Sequence, residues 1–122
     1  EIEGNCIVLS KNEVAKSLKG SGKVQLTLND TTSTNFKIKM TGNATNIVLT
    51  SNAKIDLKIS KLNGTIIVDS MLKTVKDNND NNAYNLVEMF DFPCSNFKKD
   101  ITIDVKGTGD FTFEISYFER LL

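Results

Sequence analysis

Apolar and polar residues alternate with a period of two along most of this chain. Side chains two positions apart lie on the same face of a β-strand, so this alternation predicts strands with one buried and one solvated face. The longest such segments are 24–28, 36–40, 55–59, 101–105 and 111–117, and shorter ones lie at 6–9, 47–50, 65–69, 71–76 and 84–89. The side chains predicted to face the core of the long strands are Val24, Leu26, Leu28, Phe36, Ile38, Met40, Ile55, Leu57, Ile59, Ile101, Ile103, Val105, Phe111, Phe113, Ile115 and Tyr117.

Glycine and asparagine clusters between these segments predict tight turns, because both residues tolerate positive φ or bond to their own backbone. The sharpest hairpin signal is Asn63-Gly64. The predicted turns are Gly20-Ser21-Gly22, Asn29-Asp30, Thr41-Gly42-Asn43, Asn63-Gly64 and Gly107-Thr108-Gly109-Asp110. Helix is scarce, and only 12–19, with Asn12 as an N-cap, is compatible with a helical turn.

About ten short strands separated by turns predict an all-β protein, an antiparallel two-sheet β-sandwich. The alternation places one face of each sheet in water, which fits two sheets and weakly disfavours a small closed barrel. A chain of 122 residues is long enough for one core, so we expect a single β-sandwich domain over residues 1–122.

The charge balance gives no reason to expect two classes of partner. The chain has 15 Lys and Arg residues against 15 Asp and Glu residues, so its net charge is zero and neither nucleic acid nor an anionic membrane is expected to bind it. No apolar run is long enough to insert in a membrane, and the first residues lack the features of a signal peptide.

The two cysteines, Cys6 and Cys94, leave two states open. A bridge between them would contribute about 4 kcal/mol in an oxidising compartment, whereas two reduced thiols are expected in a cytoplasmic protein. One pair in a domain of this size favours the thiols. Neither cysteine has a partner at the spacing of a metal site.

The residue types argue against catalysis. The chain has no histidine, so a Ser–His or Cys–His nucleophile cannot be assembled. Carboxylate pairs such as Glu88 with Asp91, or Asp104 with Glu114, are conceivable acid–base pairs, but they occupy outward positions of strands. We therefore expect that the protein is not an enzyme and that it has no catalytic residue and no cofactor.

One segment, 77–82, is rich in Asp and Asn and could suggest calcium. Calcium loops need six or more oxygens at a fixed spacing, a glycine and a closing acidic residue, and none of that pattern is present. The segment is instead predicted to be a flexible polar loop, with no metal site.

Sugar sites on β-sandwiches use an exposed aromatic ring, most often that of Trp, and this chain contains no Trp. Most Phe residues fall on inward positions. The weak candidates for carbohydrate binding are therefore Tyr84 and Tyr117.

The C-terminal half has a specific order of short segments: Ile66–Asp69, Leu72–Val75, the Asn-rich hairpin 77–82, Phe92-Pro93, Ile101–Gly107 and Ile115–Arg120. In this order it resembles the C-terminal domain of siphophage distal tail proteins, which are components of the tail tip or baseplate. The N-terminal half agrees more loosely, through Gly4-Asn5 and the turn before Val24. The chain departs from the family pattern at 13–15, 95–98, Phe118 and Leu121.

The resemblance implies a galectin-like, jelly-roll-like sandwich at the periphery of a tail-tip ring. In that family a separate N-terminal domain forms the hexameric ring, and no part of this chain matches it. A galectin-like fold does not by itself imply sugar binding. The true galectin site needs His and Trp, which this chain lacks.

The sequence thus predicts a virion structural protein of a phage or prophage tail, made in the bacterial host cytoplasm. Its expected partners are other tail or baseplate proteins or a receptor-binding protein, contacted through loops or an edge strand. The alternative is a carbohydrate-binding module that attaches to a host cell-wall glycan. A third reading is a secreted, disulfide-linked adhesion domain.

Overall fold

Three long strands organise the computed structural model, which describes residues 11–28 and 34–120. All strand pairing is antiparallel, and the sheet order is β1-β7-β3-β4-β5, with β2 also paired to β7 and β6 also paired to β4. The elements are β1 (Lys11–Lys19), β2 (Gly22–Thr27), β3 (Lys37–Ser51), β4 (Leu57–Asp69), β5 (Thr74–Asp77), a 3-10 helix (Tyr84–Leu86), β6 (Glu88–Met89) and β7 (Asp100–Arg120).

Each long strand belongs to two half-sheets. Residues 112–120 of β7 pair with β1, whereas residues 100–105 pair with β2. The first half-sheet therefore has the order β1-β7-β3-β4-β5, and the second has the order β2-β7-β3-β4-β6. Apolar side chains of both halves join one buried cluster, so the sheet folds back on itself into a β-sandwich.

The bend between the half-sheets is lined by Gly42, Gly64 and Gly109, which we call the glycine fold. Their φ angles are 141°, 104° and 117°, a region open to glycine and costly for other residues. Gly42 lies opposite Gly64 on β4, and Gly109 lies opposite Ala44 on β3. A slip in the β3–β7 register between Thr45 and Val48 adds a bulge at the same level.

The glycine fold corrects three sequence predictions. Thr41-Gly42-Asn43, Asn63-Gly64 and Gly107-Thr108-Gly109-Asp110 were predicted to be turns, but each lies inside a strand whose pairing continues through it. The prediction took positive φ as evidence that the chain reverses direction. Here positive φ instead bends strands that stay paired before and after the bend.

The predicted turn Gly20-Ser21-Gly22 is confirmed, since it joins β1 to β2 at the glycine fold. The Gly20 N–H donates to the Phe111 carbonyl at 2.8 Å, and the Ser21 hydroxyl donates to the Gly107 carbonyl at 3.2 Å. This turn therefore clasps β7 where the strand bends.

The opposite end of the sandwich is closed by backbone hydrogen bonds to residues 93–95. Phe36 N–H donates to the Pro93 carbonyl at 3.2 Å, and Lys54 and Cys94 exchange two bonds of 3.2 and 3.1 Å. Phe36 precedes β3 in the first half-sheet, whereas Lys54 precedes β4 in the second. Residues 93–95 thus tie the free ends of the two half-sheets together.

The predicted core is confirmed: all sixteen predicted inward side chains are 6% exposed or less. Phe113 and Ile115 have no exposed surface and lie on β7, a central strand of the sheet. Alternation identified these residues because each of these strand segments has one face buried in the core.

Other sequence predictions were wrong in detail. Residues 12–19, compatible with a helical turn, form β1, because pairing with β7 outweighs a weak local preference. The expected strand 71–76 begins only at Thr74, and 84–89 forms the 3-10 helix and the two-residue β6. Seven strands are described where about ten were predicted, because β3, β4 and β7 each merge or extend predicted segments. The predicted strand 6–9, Cys6 and Asn29-Asp30 lie outside the described residues.

Candidate interaction surface

The end of the sandwich opposite the glycine fold carries exposed apolar side chains. Seven large apolar side chains are exposed among the described residues. They lie in the loops between β4 and β5 and between β6 and β7, in the 3-10 helix and near the end of β7, and we call these residues together the apolar end. Its residues, with exposed fractions, are Met71 (57%), Leu72 (71%), Tyr84 (51%), Leu86 (50%), Phe90 (100%), Phe97 (67%) and Phe118 (47%). Apolar side chains clustered on one surface are typical of a contact site, whereas scattered single ones are ordinary.

The turn between β4 and β5 presents Met71 and Leu72. One carboxylate oxygen of Asp69 accepts hydrogen bonds from the N–H groups of Met71 at 3.0 Å and Leu72 at 3.1 Å. These bonds fix the turn, so the two side chains are held outward by the local backbone. With Phe118 they line a groove of about 260 Å³.

A second group lies around the 3-10 helix. The Tyr84 and Phe92 rings are 6.3 Å apart and tilted by 59°, and the Lys73 ammonium lies 5.2 Å from the centre of the Phe92 ring. The Asn82 side chain accepts the Tyr84 N–H at 2.9 Å and so anchors the start of the helix. Because Lys73 follows Leu72 directly, this group adjoins the first groove.

Phe90 is the most exposed apolar side chain of the three groups. It follows β6 and borders a cavity of about 300 Å³ that Val48, Leu57 and Met89 also line. Next to it, Lys54 and Asp91 approach at 3.9 Å. An exposed phenyl ring contributes no hydrophobic stabilisation to the isolated domain, so its position favours contact with another molecule.

Charged residues surround the apolar side chains. Glu13, Lys37 and Asp69 line the groove beside Phe118, and Lys54 and Asp91 flank Phe90. Both signs are present. An apolar centre with a mixed charged rim is the usual composition of a protein–protein contact.

The structure places the two predicted carbohydrate-binding residues in different surroundings. Tyr84 is half exposed at the apolar end, whereas Tyr117 is 5% exposed. The Tyr117 ring packs edge-on against Phe36, with centroids 5.6 Å apart and planes at 86°. Tyr117 therefore offers almost no ring face to a sugar, and carbohydrate binding through Tyr84 stays a prediction.

The Asn-rich segment is a hydrogen-bonded turn. One Asp77 carboxylate oxygen accepts the N–H groups of Asn79 at 2.9 Å and Asn81 at 3.0 Å. These bonds, that from Asn81 first, lower the pKa of Asp77 below its ordinary value of 3.8. The carboxylate therefore organises the backbone of this segment, and Lys76 pairs with Asp80 at 3.1 Å.

Within residues 11–28 and 34–120, no group of three or more His, Cys, Asp or Glu side chains is arranged to hold a metal ion. The described part of the chain also contains no helix of the length and hydrophobicity needed to span a membrane. Cys94 is partly buried.

Sequence reasoning missed the apolar end as a surface. Phe90 and Phe97 lie outside every predicted strand, and this was the signal available. What the sequence could not show is that separate loops bring these residues to the same end of the sandwich.

Comparison with known proteins adds one structural likeness. Neither the protein-family models nor the curated proteins include a match to this chain. The crystal structure of the Dit protein (gp 19.1) of phage SPP1, described as a paradigm of the hub adsorption apparatus in phages that infect Gram-positive bacteria, matches with a TM-score of 0.56 at 17% identity. The match covers 91% of this chain and 48% of the SPP1 chain, so this chain corresponds to about half of that protein. At this identity the likeness shows a shared fold.

Proposed function

We propose that this chain is a non-enzymatic structural module of a phage or prophage tail tip, equivalent to the galectin-like C-terminal domain of a distal tail protein. The observation that carries the proposal is the fold shared with SPP1 Dit over 91% of this chain. The resemblance of Ile66–Asp69 and Ile101–Gly107 to the same protein family is independent support, because it rests on residues and not on shape.

The apolar end is the proposed contact surface. Its occupant is a neighbouring tail or baseplate protein that presents an apolar patch with charges of both signs at its edge. Burying exposed rings and aliphatic side chains supplies the affinity, and the rim charges set the orientation. The sandwich keeps these loops in place, so the contact needs no rearrangement of the domain.

The test is incorporation into tails of the phage or prophage that encodes the chain. Tail particles are purified from lysates of strains that carry the parent chain, Leu72→Ser or Phe90→Ser, and the amount of chain per particle is measured. We expect each variant to reduce incorporation by about tenfold, the loss typical of a central interface residue. Lys19→Ser, an exposed change beside the glycine fold, is the matched control and should incorporate normally.

Two results would contradict the proposal. One is absence of the parent chain from purified tails, which would remove the tail assignment. The other is normal incorporation of both apolar-end variants, which would show that the apolar end is not the contact surface but would not contradict the tail assignment. Independently, a tail assignment predicts a tape-measure gene upstream and a tail-associated lysin gene downstream.

The alternative function is attachment to a host cell-wall glycan, and the exposed Tyr84 ring is the observation that favours it. Calorimetric titration with purified cell-wall polysaccharide tests it. Saturable binding that Tyr84→Ala abolishes would support the glycan reading, and no heat of binding to the parent chain would dismiss it.

A further inference from the structure

Two edge strands lie on the same side of the sandwich. Within residues 11–28 and 34–120, β1 pairs only with β7 in the first half-sheet, and β2 pairs only with β7 in the second. The short Gly20-Ser21 turn joins them, so the two edges run beside each other. An edge strand has unpaired backbone groups and is a template for adding a strand from another chain.

Lys16 occupies an unusual position on β1. It lies directly opposite Ile115, which is fully buried, and residues opposite each other in an antiparallel pair project to the same face. Its neighbours on that face, Val14 and Leu18, pack against the core. A lysine therefore stands where the alternation of β1 would place a third apolar side chain.

The Lys16 ammonium crosses to the other edge strand. It donates a hydrogen bond to the Gln25 carbonyl of β2 at 3.0 Å. The Lys16 side chain thus bonds to a backbone carbonyl on the edge of the second half-sheet. It also places a positive charge between the edge strands β1 and β2. The charge stays in contact with water, because Lys16 is exposed.

We propose that Lys16 closes this side of the sandwich against strand addition by a second copy of the chain. A second copy paired along β1 or β2 would have to displace the ammonium from the Gln25 carbonyl or cover it from water. Covering an unpaired charge is costly, and an inward charge on an edge strand is a known protection against edge-to-edge association. This role is independent of the tail assignment.

Sedimentation equilibrium of the full chain tests the proposal. Lys16→Met keeps the aliphatic stem, removes the charge and leaves the Gln25 carbonyl without its donor. We expect self-association at least about tenfold stronger than in the parent. Lys19→Met is the matched control: it lies on the same strand and removes the same charge, but it is on the outer face opposite Thr112, so its association should equal that of the parent.

Hydrogen exchange locates the contact. In Lys16→Met, amides of β1 and β2 should exchange more slowly as protein concentration rises, whereas those of the parent should not change. Lys16→Arg should restore the behaviour of the parent, because a guanidinium keeps both the charge and a donor.

Three results would overturn the proposal: no difference between Lys16→Met and the parent, equal association in Lys16→Met and Lys19→Met, or concentration-dependent protection confined to the apolar end. If Lys16→Met does not fold, Lys16→Gln and Lys19→Gln are compared in the same way. Equal association in that pair would equally overturn it.

Discussion

Gly42→Ala should destabilise the domain much more than Gly64→Ala, although both glycines have positive φ and face each other in the β3–β4 ladder. A Cβ on Gly42 would lie 2.2 Å from the carbonyl oxygen of Asp110 and 2.8 Å from the Cα of Phe111. A Cβ on Gly64 would have no atom within 4 Å. Comparing the two substitutions therefore separates the cost of a steric clash, which occurs only at Gly42, from the cost of an unfavourable φ, which occurs at both positions.

The magnitude follows from these distances. An alanine at either position carries the strain of an unfavourable φ, about 1–3 kcal/mol. At Gly42 the obstructing atoms belong to the backbone of β7 and cannot rotate away, so β3 and β7 must separate by roughly 1 Å, which breaks well-formed ladder bonds. Loss of about two such bonds at about 1 kcal/mol each raises the expected cost of Gly42→Ala to roughly 3–5 kcal/mol.

Urea unfolding followed by far-ultraviolet circular dichroism measures both free energies of unfolding. For a domain of this size each kcal/mol lowers the Tm by roughly 3–5 °C, so thermal unfolding gives a second reading. Equal destabilisation by the two substitutions would refute the reasoning. A larger effect at Gly64 would do the same, since it would mean that close packing of β3 on β7 is not what requires glycine.

Further predictions concern the core, the apolar end, a loop and a carboxylate. Phe113→Ala should cost about 3–5 kcal/mol in urea unfolding because it empties a fully buried site, whereas Phe90→Ala should stay within about 0.5 kcal/mol of the parent. Ser51→Ala should cost about 1 kcal/mol, since the Ser51 hydroxyl accepts two backbone N–H groups, and an unchanged unfolding midpoint would contradict this. The Asp77 carboxyl should titrate below pH 3.8 in carbon-detected NMR, so its contribution to stability is complete above that value and is lost as the pH falls through the lowered pKa. A midpoint at or above 3.8 would show that its backbone hydrogen bonds do not form in solution.

The resemblance to distal tail proteins rested on short segments such as Ile66–Asp69 and Phe92-Pro93, and the structural likeness to SPP1 Dit agrees with it at the level of fold. The functional surface was less accessible to sequence reasoning. Of the two tyrosines predicted to contact sugar, Tyr117 is buried, because the same alternation that made it a strand residue also made it a core residue.

Hydrophobic alternation by itself determined the extended segments that make up β2, β3, β4 and β7 and which of their side chains are buried, although it missed β1. This worked because side chains two residues apart lie on the same face of a β-strand. The alternation can therefore be recognised within each segment, without knowing which strands it pairs with. Whether a glycine reverses the chain or bends a paired strand depends on neighbours distant in sequence: Gly42, Gly64 and Gly109 meet only after β3, β4 and β7 have paired. The gathering of exposed apolar residues at one end was decided in the same way, since it required both half-sheets to fold together so that separate loops could meet.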